Sequence, residues 1–380
     1  MTVDAALNLG FRLHLVHLHQ VCLVSVGLCE WPKVDSSPTD RGEVDSCSAN
    51  GYPPREHHCC GNAHDNTNKG RRVFRDVSRM ADKGIDVALV GFSVVMKILG
   101  PCLICTALGL ICFVTYTYFV YALPELGNTA GFAGQTVVTA VGLFLVSNTL
   151  YNYGKSIFTD PGLPPEYEKA MEMHSLEVEE RAERADKKKP RQCNTCKRAK
   201  PPRCHHCSVC RRCVLKMDHH CPWINNCVGH HNYRYFCLFM LFLAMSCAFA
   251  AAVFFEPFRD NFFHVRGRKR MSRNARQCIM TSFMICVSIL ISLSCLGGFH
   301  VYLVLTNQTT IEFQTNLHRR RQARKNGEYY RNPYDLGRTR NFLQVFGPNP
   351  FCRWRWLLSW LSMPPSGDGL TYPSLTRIDV

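Results

Sequence analysis

The pattern C-x2-C-x9-H-x6-C occurs twice between residues 193 and 227, with an offset of 14 residues. The first copy is Cys193, Cys196, His206 and Cys213. The second is Cys207, Cys210, His220 and Cys227, so the copies interleave. Each copy offers three thiolates and one imidazole, a closed tetrahedral set for Zn2+. A tight turn at each CxxC pair aims two sulfurs at one ion, and the sequence therefore predicts two structural zinc sites. Redox-active CxxC pairs are the main alternative, but they leave the matching His and third Cys without a role. Closed sets have no open coordination position, so the ions are expected to hold shape and do no chemistry. The intervening Pro201, Pro202 and many Lys and Arg cannot build a core, which makes metal the natural staple.

Cys221 stands where a third copy would begin, but its CxxC partner position is Ile224. It lies outside both sets, within Asp218-His219-His220-Cys221. With His220 assigned to zinc, His219 is free. A free imidazole two residues from a free thiol, with a carboxylate beside it, has the parts of an activated nucleophile. His219 would take the thiol proton, and Asp218 would orient the imidazole and stabilise its cation. Ligation of His220 would hold that geometry. The other reading of these residues makes Cys221 a spare or alternate ligand and Asp218 a partner of a ligand His. Cys204, beside His205, is a second spare thiol but has no carboxylate neighbour, so it is the weaker candidate.

Four long charge-free windows surround this segment. They place membrane spans at Ile98 to Pro124, Leu126 to Gly154, Tyr235 to Phe255 and within Gln277 to Ile311. Each has the ~20 residues that a helix needs to cross the hydrocarbon core. Span three starts 14 residues after Cys221, which puts the thiol near one membrane face. A substrate with a hydrocarbon tail suits that position. Trp223 suits an interfacial depth, or simply packs.

The 380 residues include 22 cysteines and carry a net charge of +16. A secreted disulfide framework would be short and would lack such windows, so the crowded cysteines read as metal ligands in a reducing compartment. Basic charge fits nucleic acid or an anionic membrane surface, and the spans favour the second, so no nucleic-acid partner is expected. Basic residues precede span one (Arg71, Arg72, Arg75), fill the central segment (Lys187 to Lys216) and follow span four (Arg319, Arg320, Arg321). The positive-inside rule then makes the termini and central segment cytosolic. The loop holding Arg259, Arg266, Arg268, Lys269, Arg270, Arg273 and Arg276 runs against that assignment. Glu166 to Lys189 reads as an exposed helix and linker. His57, His58, Cys59 and Cys60 lack a CxxC spacing, and residues 1 to 70 read as a tail.

Cys193 to Phe236 closely resembles the cysteine-rich domain of the DHHC protein S-acyltransferases. Asp160-Pro161-Gly162 is similar to that family's DPG motif and Thr309-Thr310-Ile311-Glu312 to its TTxE motif. Asn332-Pro333-Tyr334 through Asn341 and Phe346-Gly347 is similar to its C-terminal segment. The resemblance covers about residues 85 to 350. It implies an all-α polytopic membrane protein of four helices, with a two-zinc cytosolic domain between helices two and three. It implies that Cys221 takes a palmitoyl group from palmitoyl-CoA, with His219 as base and Asp218 as its orienter. A cysteine of a membrane-associated protein then takes the acyl group. The acyl chain would lie among the helices, and basic residues would contact the CoA phosphates. Thr310, Glu312 and Asn341 would be structural braces. Expected divisions are 1–84, a partly disordered cytosolic N-terminal segment; 85–155, helices one and two; 156–234, linker and zinc domain; 235–306, helices three and four; and 307–380, the cytosolic C-terminal region. The class places the protein in the endoplasmic reticulum or Golgi. A non-catalytic zinc-stapled membrane scaffold is the alternative, and it leaves the His219–Cys221 pair without a role.

Overall fold

The computed structural model describes residues 91, 93–180, 191–263, 271–347 and 364–375. All but 91 and 93–95 belong to the compact unit that includes Met96–Val380; those four fall in a second unit, Trp31–Val95. The expectations for residues 1 to 70, including His57, His58, Cys59 and Cys60, lie outside the described residues. So do those for Arg266, Arg268, Lys269 and Arg270.

Two apolar helices come first, α1 (Ser93–Leu126) and α2 (Gly131–Phe158). The polar helix α3 follows at Tyr167–Glu180. Then come two hairpins, β1 (His205–Cys207) with β2 (Arg212–Val214), and β3 (His219–Cys221) with β4 (Asn226–Val228). Two more apolar helices follow, α4 (Tyr233–Phe262) and α5 (Arg273–Leu305). The described chain ends with α6 (Thr310–Lys325), α7 (Arg338–Phe346) and the segment 364–375.

α1, α2, α4 and α5 are long and apolar enough to cross a membrane. The expected architecture therefore holds: four such helices, with the Cys/His-rich module between the second and third. The helices overrun the charge-free windows, because backbone hydrogen bonding continues past the point where apolar side chains are needed. Even α2, at 28 residues, is about 42 Å long against a hydrocarbon core of about 30 Å. α1 also passes through Pro124, where the sequence suggested an end. A π-helical turn at Tyr118–Ala122 ends one residue short of that proline and adjusts the ladder near its missing N–H. The break falls instead at Gly131, whose φ of 69° favours glycine. α5 stops at Leu305, short of the window's end, because Thr309 caps a new helix there. Its hydroxyl accepts from the Glu312 N–H, and the Glu312 carboxylate accepts from the Thr309 N–H.

α4 is the central helix: 44% of its apolar window is buried, against 6–17% for the others. Near the hairpins it packs Tyr233, Phe236, Leu238, Phe239 and Phe242 with Tyr153 of α2 and Val304 of α5. The same cluster includes Cys221, Ile224 and Val228 of the second hairpin, and Val345 and Phe346 of α7. One apolar core thus joins the end of the bundle to the module. The Asp160-Pro161-Gly162 loop adds a polar joint. Asp160 accepts from Arg212 at 2.8 Å, and the Leu215 N–H donates to the Gly162 carbonyl at 2.9 Å.

Gly229 marks the tightest seam between module and helices. A Cβ there would sit 2.6 Å from Val214 Cγ1, 2.7 Å from the Pro161 carbonyl and 2.9 Å from the Leu215 carbonyl. Two of those neighbours are backbone and cannot move aside. Gly229→Ala is expected to destabilise the protein by about 1–3 kcal/mol, read as a lowered melting temperature in detergent. An unchanged melting temperature would show that the seam is slack.

Candidate metal centres and the Cys221 site

The 14-residue repeat is a repeat of hairpins. His206 pairs across the strands with Cys213 in the first, and His220 with Cys227 in the second. Each pair closes a donor set whose CxxC half comes from the preceding stretch of chain. Cys193, Cys196, His206 and Cys213 form one group, and Cys207, Cys210, His220 and Cys227 the other, with donor atoms within 4.8 Å of one another in each. The first hairpin therefore serves both groups and ties them together.

The spacings fit zinc. Tetrahedral Zn2+ with ordinary bond lengths sets sulfurs about 3.8 Å apart and sulfur from nitrogen about 3.6 Å apart. Cys196 and Cys213 sulfurs are 3.4 Å apart, and Cys210 and Cys227 sulfurs 3.5 Å apart. His206 Nδ1 lies 3.7 and 3.9 Å from the sulfurs of Cys193 and Cys213. His220 Nδ1 lies 3.3 to 3.8 Å from those of Cys210, Cys227 and Cys207. Cys204 is buried within hydrogen-bonding reach of Cys213 but is not a member of the four-donor group.

Cys221 occupies the β3 position that matches Cys207 in β1, and it belongs to neither group. It lies among the apolar residues at the end of the bundle. Its thiol is hydrogen-bonded to the His219 imidazole, and His219 Nδ1 donates to Asp218 Oδ2 at 2.7 Å. The backbone N–H and hydroxyl of Thr310 both donate to Asp218, each at 2.8 Å. Burial by itself would raise the Asp218 pKa, but the hydrogen bond and charge of His219 and the Thr310 N–H outweigh it and lower it to about 2. Burial would lower His219, but its bonds to Asp218 and Cys221 outweigh it and raise the pKa to about 10. Asp218 thus favours the protonated imidazole, so a neutral His219 can take the Cys221 proton and hold it beside the carboxylate as a buried ion pair.

The sequence of residues 186–317 matches the DHHC palmitoyltransferase family. "Probable protein S-acyltransferase 16" of Arabidopsis thaliana is 34% identical over 278 residues, covering 72% of this chain and 88% of that relative. The chain belongs to the DHHC palmitoyltransferase family. "Palmitoyltransferase ZDHHC2" of Rattus norvegicus is 36% identical, covering 68% of this chain and 72% of the relative. "Palmitoyltransferase PFA4" of Mycosarcoma maydis is 32% identical, covering 71% and 60%. With its four apolar helices, this DHHC family member is a multi-pass membrane protein.

Thr310, expected only as a brace, directly holds the Asp218 carboxylate. Three further residues escaped the sequence reading. His300 of α5 is buried, and its ring centroid lies 6.0 Å from that of His219. The Tyr233 hydroxyl holds His300 at Nδ1, 3.1 Å away. Tyr153 donates to the Trp223 carbonyl at 2.7 Å, pinning the turn after Cys221. His300 did leave a signal, as a lone ionisable residue in an apolar span. The tyrosines left none. Asn341 braces as expected, donating to the Leu305 carbonyl at 2.8 Å and to Asp335 at 2.6 Å.

Thr310→Val removes one donor to a buried carboxylate while keeping shape. The expected result is a loss of about tenfold or more in the rate of Cys221 modification by an acyl thioester, measured by covalent labelling. Cys207→Ser should lower bound zinc from one ion per group to one per chain, measured by elemental analysis. Retention of both ions would remove Cys207 from the ligand set.

Proposed function

We propose that this chain is a protein S-acyltransferase that carries a palmitoyl group from palmitoyl-CoA to cysteines of membrane-associated proteins, through a thioester on Cys221. The observation that carries this reading is the run Thr310–Asp218–His219–Cys221, placed where the apolar bundle meets the zinc module.

In the first step His219 takes the Cys221 proton and the sulfur attacks the thioester carbonyl. The bond from acyl carbon to CoA sulfur breaks, and the CoA thiolate recovers a proton from His219. In the second step His219 takes the proton of a substrate cysteine. That sulfur attacks the Cys221 thioester, and Cys221 leaves and is reprotonated. One thioester is exchanged for another in each step, in a ping-pong scheme. Asp218 keeps the imidazole oriented and balances its charge throughout. Zinc, held by Cys193, Cys196, His206 and Cys213 and by Cys207, Cys210, His220 and Cys227, would supply cross-linking and no open Lewis-acid position.

A site at the bundle end suits a donor with a hydrocarbon tail. The tail can remain among apolar helices while the thioester reaches the thiol. Trp223, 43% exposed beside Cys221, suits the headgroup region. The basic charge of the central segment and of α6 supports a cytosolic zinc module and cytosolic termini, in a membrane of the endoplasmic reticulum or Golgi. The divisions 1–84, 85–155, 156–234, 235–306 and 307–380 are retained as the organisation of the chain.

Purified wild-type protein given labelled palmitoyl-CoA should acquire a hydroxylamine-labile label. Cys221→Ser should lose that label with its zinc content unchanged. Persistent label in Cys221→Ser would assign the nucleophile elsewhere. A scaffold without catalysis would show no turnover at all.

A further inference from the structure

Arg203 has a side chain only 1% exposed. Burying a guanidinium is costly unless its whole periphery is matched. Here Nε and one terminal nitrogen donate to the two oxygens of Glu312, at 2.7 and 2.6 Å. The other terminal nitrogen donates to Asn307 Oδ1 at 3.0 Å, and the terminal nitrogen that serves Glu312 also donates to the Asn307 carbonyl at 3.1 Å. Two aromatic rings complete the enclosure. Tyr334 and Tyr372 lie 4.5 and 5.0 Å from the guanidinium carbon and stand at 76° to each other, forming a corner around the cation.

Tyr372 arrives on a segment, 364–375, outside the residues that match the family. This segment bridges two parts of the protein. On the module side, His230 donates to the Gly367 carbonyl at 3.2 Å, and Leu370 packs on Cys193, Cys204, Cys213 and Leu215. On the other side, Ser366 bonds to the carbonyls of Gln344 and Leu343, and the Leu375 N–H donates to the Pro333 carbonyl at 2.8 Å. The Tyr372 hydroxyl donates only within its own turn, to the Gly369 carbonyl. The ring is therefore the part of Tyr372 that faces Arg203.

Glu312, the anion of that pair, also closes the α6 capping box with Thr309. The next residue is Thr310, which aims Asp218 with two hydrogen bonds. The line from tail to reacting thiol is continuous: Tyr372, Arg203, Glu312, Thr310, Asp218, His219, Cys221.

We infer that Tyr372 is a positioning residue for acyl transfer, its ring holding Arg203 on Glu312 and so fixing the turn from which Thr310 orients Asp218. This deepens the acyl-transfer reading and rests on it. Without the ring, water reaches the guanidinium and competes for its hydrogen bonds. The first turn of α6 then loses its anchor, and Asp218 loses its fixed direction. A ring without the hydroxyl preserves the enclosure.

The test uses the full chain in detergent or nanodiscs and follows the rate of Cys221-dependent labelling against palmitoyl-CoA concentration. Tyr372→Ala is expected to lower the limiting rate by about tenfold, with the half-saturating concentration and bound zinc unchanged. Tyr372→Phe is expected to match the wild type. A wild-type limiting rate in Tyr372→Ala would overturn the inference. So would a rate loss in step with loss of zinc, which marks plain fold support, or a Phe variant as slow as the Ala variant. An unlabelled wild type would overturn the acyl-transfer reading itself, and this inference with it.

Discussion

The whole arrangement depends on cross-strand pairing of His with Cys in two hairpins whose strands are three residues long. Strands so short have little stability of their own. Each pair, His206 with Cys213 and His220 with Cys227, completes a four-donor group that reaches back to an earlier CxxC. Closing a group therefore fixes register, turn and chain path together. It also decides what is left over. The β3 position matching Cys207 of β1 carries Cys221, and with no third hairpin among the described residues to complete a set, its thiol turns to His219.

A layer of buried polar groups lies between the module and the helices. Asp218, Arg203 and Glu312 are all drawn from water, and Lys216 beside them has its pKa lowered to about 7 by burial and by Arg203. Charges in such a place must be paired, or folding becomes unfavourable. The pairing partners come from distant parts of the chain. Asp218 meets Thr310, 92 residues away, and Arg203 meets Glu312, 109 residues away. Asn307 and Asn332 tie the same turn to the C-terminal segment, with Asn332 donating to the Thr306 carbonyl at 2.8 Å and Asn307 to the Tyr334 carbonyl at 2.7 Å. A satisfied network of this kind allows one arrangement of module on bundle, because any shift would leave a buried polar group unpaired.

The His219 environment joins this polar layer to the apolar core. Phe236 stands edge-on to the imidazole at 5.4 Å, and His300 approaches at 6.0 Å, held by Tyr233. Both α4 residues lie in the first turn of that helix, so the descent of the chain from module into bundle also walls the His219 imidazole.

Much of this was legible in the sequence because it depends on local spacing. The interleaved donor sets follow from a 14-residue offset, the four helices from charge-free windows, and the Thr309–Glu312 cap from a four-residue motif. Helix ends were less legible. Hydropathy reports where lipid must be met, while the ends are decided by caps, by the π turn before Pro124 and by the φ of Gly131. The sequence by itself determined the two four-donor groupings, the thiol outside them and the apolar spans, since each is written in residue kind and short-range interval. Only the tertiary structure decided that Thr310 grips Asp218, that His300, held by Tyr233, stands beside His219, and that Tyr372 closes around Arg203. Those contacts join residues dozens of positions apart or more, and no local pattern encodes which buried charge a folded chain will bring within reach of which donor.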